Sequence, residues 1–288
     1  MGLPEIFQSI RPSIVALGSR ISITRAGTKP LFPEILGTGF IVDPRGIVAT
    51  NRHVVEEISK LPPHPYTGAN TALAILFTEV EVGDGQHGMG TILRGIRGHW
   101  LLDEFSTHGA YFGASMPDLA FLHLDVKDVP AVTLATEPNV LTIGREIATA
   151  GFPLGNGPLT VFNKITQLTP MLRRGIISSV FPFPCPHPHG FTIVVMTQGG
   201  ASGSPIFLAE SQTVVGILHA NVVGATNITI ALPSKIISEA VEKFFGAEGA
   251  RGLDLSEVPT FSELRKNIER TPELSYNTFE PTDITQRG

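Results

Sequence analysis

Charge is scarce in this sequence. Of its 288 residues, 16% are Asp, Glu, Lys or Arg and 42% are hydrophobic, whereas soluble domains usually carry roughly 25% charged residues. That balance calls for extensive burial, or for a homo-oligomer that hides further surface. The hydrophobic residues are dispersed, and no apolar run approaches the ~18 residues that would span a bilayer, so no membrane partner is expected. Positive charge is not concentrated either: the net charge is −5 and no Lys/Arg cluster occurs, which argues against nucleic acid as a partner. Cysteine is nearly absent. The single Cys185 can form no internal disulfide, which excludes a disulfide-stapled scaffold. Met1-Gly2-Leu3-Pro4-Glu5-Ile6 lacks the basic start and apolar core of a signal peptide. It also lacks the Ser or Thr at position 6 that accompanies myristoylation. A cytoplasmic location is the simplest expectation from these absences.

What the chain does have is strand after strand. Ile14–Leu17, Ile21–Thr24, Thr38–Val42, Ile47–Thr50, Ala72–Val82, Thr91–Ile96 and Ala120–Leu124 are short and apolar, bounded by Gly, Pro or Asp. A second series comprises Ile147–Ala150, Leu159–Phe162, Ile176–Val180, Phe191–Met196, Pro205–Leu208, Val214–Leu218 and Ile228–Ala231. This spacing predicts antiparallel barrels rather than alternating strands and helices. Ala135-Thr136-Glu137-Pro138 makes a connector. After Pro233 the period changes: Ser234 is a good N-cap, and Ile236, Ile237, Ala240, Val241, Phe244 and Phe245 form one helical stripe ending at Gly246. The expected fold is all-β, two six-stranded antiparallel barrels (residues 1–135 and 136–246) with a closing helix in the second. Residues 247–288 read as a polar tail with one helical piece, where Thr260-x-x-Glu263 has the form of a capping box.

Three motifs carry chemistry. In Thr197-Gln198-Gly199-Gly200-Ala201-Ser202-Gly203-Ser204-Pro205, glycines on both sides of Ser202 allow a sharp turn that exposes its hydroxyl. Such a turn would aim the amides of Gly200 and Ser202 at one point, where an oxyanion could form. A serine hydroxyl needs a base and a group to orient that base. His53, in Thr50-Asn51-Arg52-His53-Val54-Val55, and Asp118, in Met116-Pro117-Asp118-Leu119-Ala120, are the candidates. Alone, each motif has a bland reading as an ordinary turn, a loop histidine or a strand start. Together, in the order His, Asp, Ser, they point to nucleophilic catalysis.

That order resembles the chymotrypsin-like peptidases. Gly37-Thr38-Gly39-Phe40-Ile41-Val42, Thr50-Asn51-Arg52-His53-Val54-Val55, Gly151-Phe152-Pro153-Leu154-Gly155, Gly175-Ile176-Ile177-Ser178-Ser179-Val180 and Ala231-Leu232-Pro233-Ser234 resemble the HtrA (Deg) protease domain. The resemblance spans roughly residues 9–245. It implies a serine endopeptidase acting on a protein or peptide, with catalytic residues His53, Asp118 and Ser202. It implies no cofactor and no metal. A catalytically silent peptide-binding or chaperone-like relative is the alternative. By the same resemblance, Met196, Thr197 and Gln198, with the residues after the strand ending at Leu218, His219 among them, line the primary substrate pocket. Glutamate-specific relatives carry a pocket histidine in Gly-Ile-His, whereas here the run is Gly216-Ile217-Leu218-His219. The one-residue offset turns His219 to the opposite face of a regular strand.

The chain departs from the family in two places. Too few residues follow Gly246 for the PDZ domain often found in HtrA proteins. The interval from His53 to Asp118 is also long; its excess, around Gly83–Pro117, contains His87, His99, Trp100 and His108 and reads as an elaborated loop over the cleft. Finally, Pro182-Phe183-Pro184-Cys185-Pro186-His187-Pro188-His189 gathers a thiol and two imidazoles. Its alternating prolines favour a stiff extended loop over a zinc site. By position this loop resembles the effector-sensing loop of HtrA enzymes.

Overall fold

The computed structural model describes residues 2–19, 33–63, 68, 70–83, 86–102, 117–137, 139–155, 169–196, 198–221, 227–246 and 253–270. The expected strands Ile21–Thr24 and Leu159–Phe162 lie outside these residues. A short helix, α1 (Leu3–Ile10), leads in and buries Ile6 and Ile10. Strands β1 (Ile14–Ser19), β2 (Glu34–Asp43), β3 (Ile47–Thr50), β4 (Ala72–Gly83), β5 (Gln86–Leu101) and β6 (Ala120–Leu124) close the first barrel in the order β1-β2-β3-β6-β5-β4. A second helix, α2 (Arg52–Ser59), follows β3 directly. Just ahead of the expected connector, the two-residue strand β7 (Thr133–Leu134) pairs in parallel with β12 (Thr213–Asn221). The second barrel is built from β8 (Glu146–Gly151), β9 (Met171–Phe181), β10 (Gly190–Val194), β11 (Pro205–Leu208), β12 and β13 (Ile228–Pro233). Its order is β11-β8-β9-β10-β13-β12, closed by pairing of β11 with β12.

Both faces of the strands at the seam between barrels are apolar, and the packing explains why. On β1, Val15 and Leu17 join one cluster with α2, while Ile14 and Ala16 join another shared by both barrels. In the second barrel, Ile206 and Leu208 of β11 enter that barrel's own cluster and Phe207 enters the shared one. Strands packed on both sides lose the alternation of a half-exposed sheet and read as continuous apolar runs.

Helix α3 (Ser234–Phe245) lies on this seam. The stripe foreseen from the sequence is its buried side: Ile236, Ile237, Ala240 and Phe245 are all inside. The Phe245 ring meets Trp100 edge-on at 4.8 Å and Phe121 at 5.6 Å, both from the first barrel. Arg45 Nη2 donates to the Phe245 carbonyl at 2.7 Å. His87, His99 and Trp100 therefore belong to strand β5, not to a loop over the cleft. The Trp100 ring packs edge-on against Phe245 of α3 and against the cluster shared by both barrels. His108 lies outside the described residues.

Part of the expected polar tail also packs. Residues 253–270 return to the first barrel and end in α4 (Phe261–Arg270). Val258, Phe261 and Ile268 bury their side chains, and a handful of apolar residues in a polar stretch suffices for docking. The Lys127 N–H donates to Pro259 O at 3.0 Å, and the Phe261 N–H donates to Lys127 O at 2.8 Å. The capping box forms: Thr260 N–H donates to Glu263 Oε2 at 2.8 Å, and Glu263 N–H donates to Thr260 Oγ1 at 3.2 Å. Among the described residues no second globular unit follows α3, and no helix is long and apolar enough to cross a membrane.

Because Phe245 plugs the seam, Phe245→Ala should lower stability by about 3–5 kcal/mol in denaturant unfolding. A loss under about 1 kcal/mol would show that α3 does not join the barrels energetically.

Candidate active site

The two barrels present their candidate residues at one junction. His53 stands in the first turn of α2, and Asp118 lies two residues before β6. Strands β3 and β6 are neighbours, with Thr50 opposite Ala120, so these residues share one end of the first barrel. Asn51, the residue before α2, does not cap its own helix. Its Nδ2 donates to the Asp118 carbonyl at 2.9 Å and fixes that backbone.

The Asp118 carboxylate is gripped at both oxygens. Oδ1 accepts the His53 backbone N–H at 2.9 Å, and Oδ2 lies 2.6 Å from His53 Nδ1. His219 Nδ1 reaches the same Oδ2 at 2.8 Å. An ionised carboxylate only accepts, so the His53 proton sits on Nδ1 and Nε2 is left with a lone pair. Burial opposes ionisation of Asp118, yet the hydrogen bonds from His219 and His53 override it and hold the carboxyl well below the usual range. The hydrogen bond to Asp118 raises the pKa of His53, and partial burial does not cancel the effect.

The turn at Ser202 comes from the second barrel. Gly200 and Gly203 have φ of 88° and 84°, as a sharp left-handed turn requires. A Cβ at Gly200 would stand 2.3 Å from Phe152 O, and one at Gly203 would stand 2.0 Å from Thr38 O. One side chain of the first barrel, the fully buried Thr38, holds this turn. Its N–H donates to Ser202 O at 2.9 Å, and its Oγ1 donates to Gly200 O at 2.8 Å. The same hydroxyl accepts the Phe152 N–H at 3.1 Å, while Thr38 O accepts Thr50 Oγ1 at 2.8 Å. Next to it, the Leu154 N–H donates to Gly199 O at 2.6 Å. Carbonyl and N–H point opposite ways in a trans peptide, so this bond turns the Gly200 N–H away from Leu154. Leu154 itself is held at φ 68°, a conformation uncommon outside glycine.

Met196 is 58% exposed, and its carbonyl accepts from Arg173 Nη1. Gln198 O accepts the Ala201 N–H at 3.1 Å. Thr197 lies outside the described residues. His219 is the unpaired residue of a bulge, because Leu218 faces Ala231 while Ala220 faces Ile230. Bulges re-aim side chains, and this one brings His219 to Asp118. Thr38, Asn51 and Leu154 are site residues that sequence reasoning passed over. The available signals were a threonine between two glycines and a polar residue at the mouth of an apolar strand. Among the described residues no three of His, Cys, Asp and Glu gather as a metal cluster.

The family model for a trypsin-like peptidase domain matches residues 37–217, well over half of the chain, and the chain belongs to that family. Among solved structures, the chain is similar to the HtrA-type protease AlgW with a decapeptide, at TM-score 0.52 and 18% identity, over 84% of this chain and 67% of that one. It is also similar to the inactive form of a serine-to-alanine mutant of Rv3671c from M. tuberculosis H37Rv, at TM-score 0.50 and 17% identity, over 86% and 92% of the two chains. At these identities the likeness establishes the two-barrel fold. A comparison with curated proteins finds no match.

Thr38→Val keeps the shape but strips the hydroxyl, leaving Gly200 O and Phe152 N–H unpaired in a buried place. Each such group costs about 1–3 kcal/mol. The variant should therefore unfold at clearly lower denaturant, and an unchanged midpoint would mean that Thr38 does not hold the turn.

Proposed function

We propose that this protein is a serine endopeptidase that cleaves peptide bonds through an acyl-enzyme intermediate. The observation that carries the reading is the two-point grip of Asp118 on His53, which leaves Nε2 as a free base. In this reading Nε2 takes the Ser202 proton as Oγ attacks the scissile carbonyl. The imidazolium, stabilised by Asp118, then returns the proton to the leaving amine. Water repeats the cycle on the acyl-enzyme. The amides of Gly200 and Ser202 hold the oxyanion; each such donor is typically worth on the order of 3 kcal/mol in the transition state. The Thr38 and Leu154 hydrogen bonds support this role by fixing the peptide planes on either side.

The substrate is a protein or peptide lying along the junction of the barrels, with Met196, Thr197 and Gln198 walling the primary pocket. No acidic residue occurs among those three, which disfavours a lysine or arginine there. No step of this chemistry calls for a cofactor.

Two measurements test the reading. Wild-type protein should hydrolyse a denatured protein and react with a fluorophosphonate at Ser202, and both properties should vanish in Ser202→Ala and in His53→Ala. Binding of peptides without cleavage or labelling would instead identify a silent relative.

The pH dependence has a definite sign. The pKa of His53 lies above its ordinary 6.5, and the base must be unprotonated. Activity is therefore full above that raised value and falls as pH drops through it. Asp118 ionises far lower and contributes nothing to this limb. The acid limb of kcat/KM should have its midpoint above 6.5. A midpoint well below that, or a flat profile on folded protein, would contradict the assignment of His53 as base.

A further inference from the structure

Among the described residues, Arg173 is a cation without an anion. Two other arginines of the second barrel have theirs: Arg145 Nη2 meets Glu210 Oε1 at 2.8 Å, and Arg174 pairs with Glu146 across β8 and β9. The bond that Arg173 makes goes to a neutral group, from Nη1 to the Met196 carbonyl. A guanidinium carries five N–H donors, so most of them are unspent among the described residues. Partial burial pulls the pKa of Arg173 down, and no carboxylate offsets that cost. The group still stays charged at neutral pH.

Strand register shows where this cation stands. Arg173 is the cross-strand partner of Thr149, and Gly175 is the partner of Ile147. Ile147 and Ile177 belong to the second barrel's own cluster. Ile177, Gly175 and Arg173 therefore follow one another along the inward face of β9. A Cβ at Gly175 would stand 2.4 Å from Val195 Cγ2, and the next step along that face brings Arg173 to Met196. The face changes from apolar core to positive charge where the chain enters the pocket wall Met196–Gln198.

Thr149 adds a second polar group. It is 3% exposed and lies on the same side of β8 as Ile147, yet its Oγ1 has no hydrogen-bond partner among the described residues. Cross-strand partners hold their Cβ atoms about 4.5–5.5 Å apart, so the hydroxyl and the arginine face the same space. A buried hydroxyl without a partner is costly, and so is a half-buried cation without an anion. One carboxylate entering that space would satisfy both, because it only accepts. His219 is not available for this task, since its Nδ1 is spent on Asp118.

Resting on the serine-peptidase reading, we propose that Arg173 and Thr149 determine specificity: they make the primary pocket select an acidic side chain, glutamate, before the cleaved bond. The carboxylate passes Met196, pairs with the unspent N–H groups of Arg173 and accepts the Thr149 hydroxyl. The bond from Arg173 to the Met196 carbonyl holds the guanidinium at the pocket wall.

The test uses three peptides that differ only in Glu, Gln or Leu before the cleaved bond, and it reads ratios of kcat/KM. Wild type should prefer Glu to Gln about tenfold or more, since the two differ in charge and scarcely in shape. In Arg173→Gln that preference should fall to within about twofold. Thr149→Val should lower the Glu-to-Leu ratio severalfold without lowering the unfolding midpoint, because the hydroxyl it removes has no partner to lose. Three results would overturn the proposal: a wild type that cleaves Glu no faster than Gln, an Arg173→Gln variant that slows all three peptides alike and keeps their ratios, or unchanged ratios in Thr149→Val. Wild-type protein that cleaves no peptide and takes no fluorophosphonate would fail the peptidase reading instead. Binding then decides the pocket on its own. The Ser202→Ala protein should hold the Glu peptide about tenfold more tightly than the Gln peptide, and equal affinities would overturn the proposal.

Discussion

The structure depends on one buried threonine. Thr38 belongs to β2 of the first barrel, yet two of its atoms make three hydrogen bonds to the second: N–H on Ser202 O, and Oγ1 shared between Gly200 O and the Phe152 N–H. Glycines surround it for steric reasons. Gly37 lies against Val54, Gly39 against Val48, and Gly203 against Thr38 O, all too close for a Cβ. The turn at Ser202 is therefore set by contact with the other barrel as well as by its own glycines. With Phe245 filling the seam and Arg45 bonded to its carbonyl, the two barrels form one junction. This is why a site composed of residues from both can have a defined geometry.

Electrostatics at the junction follow from the same docking. A half-buried carboxylate would ordinarily resist ionisation. Donors from α2 and from the β12 bulge reverse that tendency at Asp118. The ionised group in turn raises the basicity of His53. Each of these effects needs donors within about 3 Å, so a small shift of one barrel against the other would weaken them together.

Much of this could be read in advance from particular residues. The strands were legible because apolar runs such as Ile47–Thr50 and Pro205–Leu208 are short and cleanly bounded, and α3 because its stripe has a helical period. The eight-residue helices α1 and α2 were not, since runs that short give too few repeats to separate 3.6 from 2. Docking of α4 rests on Val258, Phe261 and Ile268, too few to stand out in a polar stretch. At the site, His53 and Asp118 could be named from their flanks, but the second partner of Asp118 could not. The Leu218-His219 step reads as strand, and only the bulge shows where the ring goes. The left-handed backbone of Leu154 had no signal either, because leucine does not advertise φ above zero.

The central claim is that Ser202, the Gly200 and Ser202 amides, and the His53–Asp118 pair act on one carbonyl. The most direct measurement is a crystal structure of the protein after reaction with a peptidyl phosphonate. The account predicts a covalent bond to Ser202 Oγ, a phosphonyl oxygen within hydrogen-bonding distance of the amides of Gly200 and Ser202, and His53 Nε2 beside the bonded oxygen. Attachment at another residue, or a phosphonyl oxygen turned away from both amides, would contradict it.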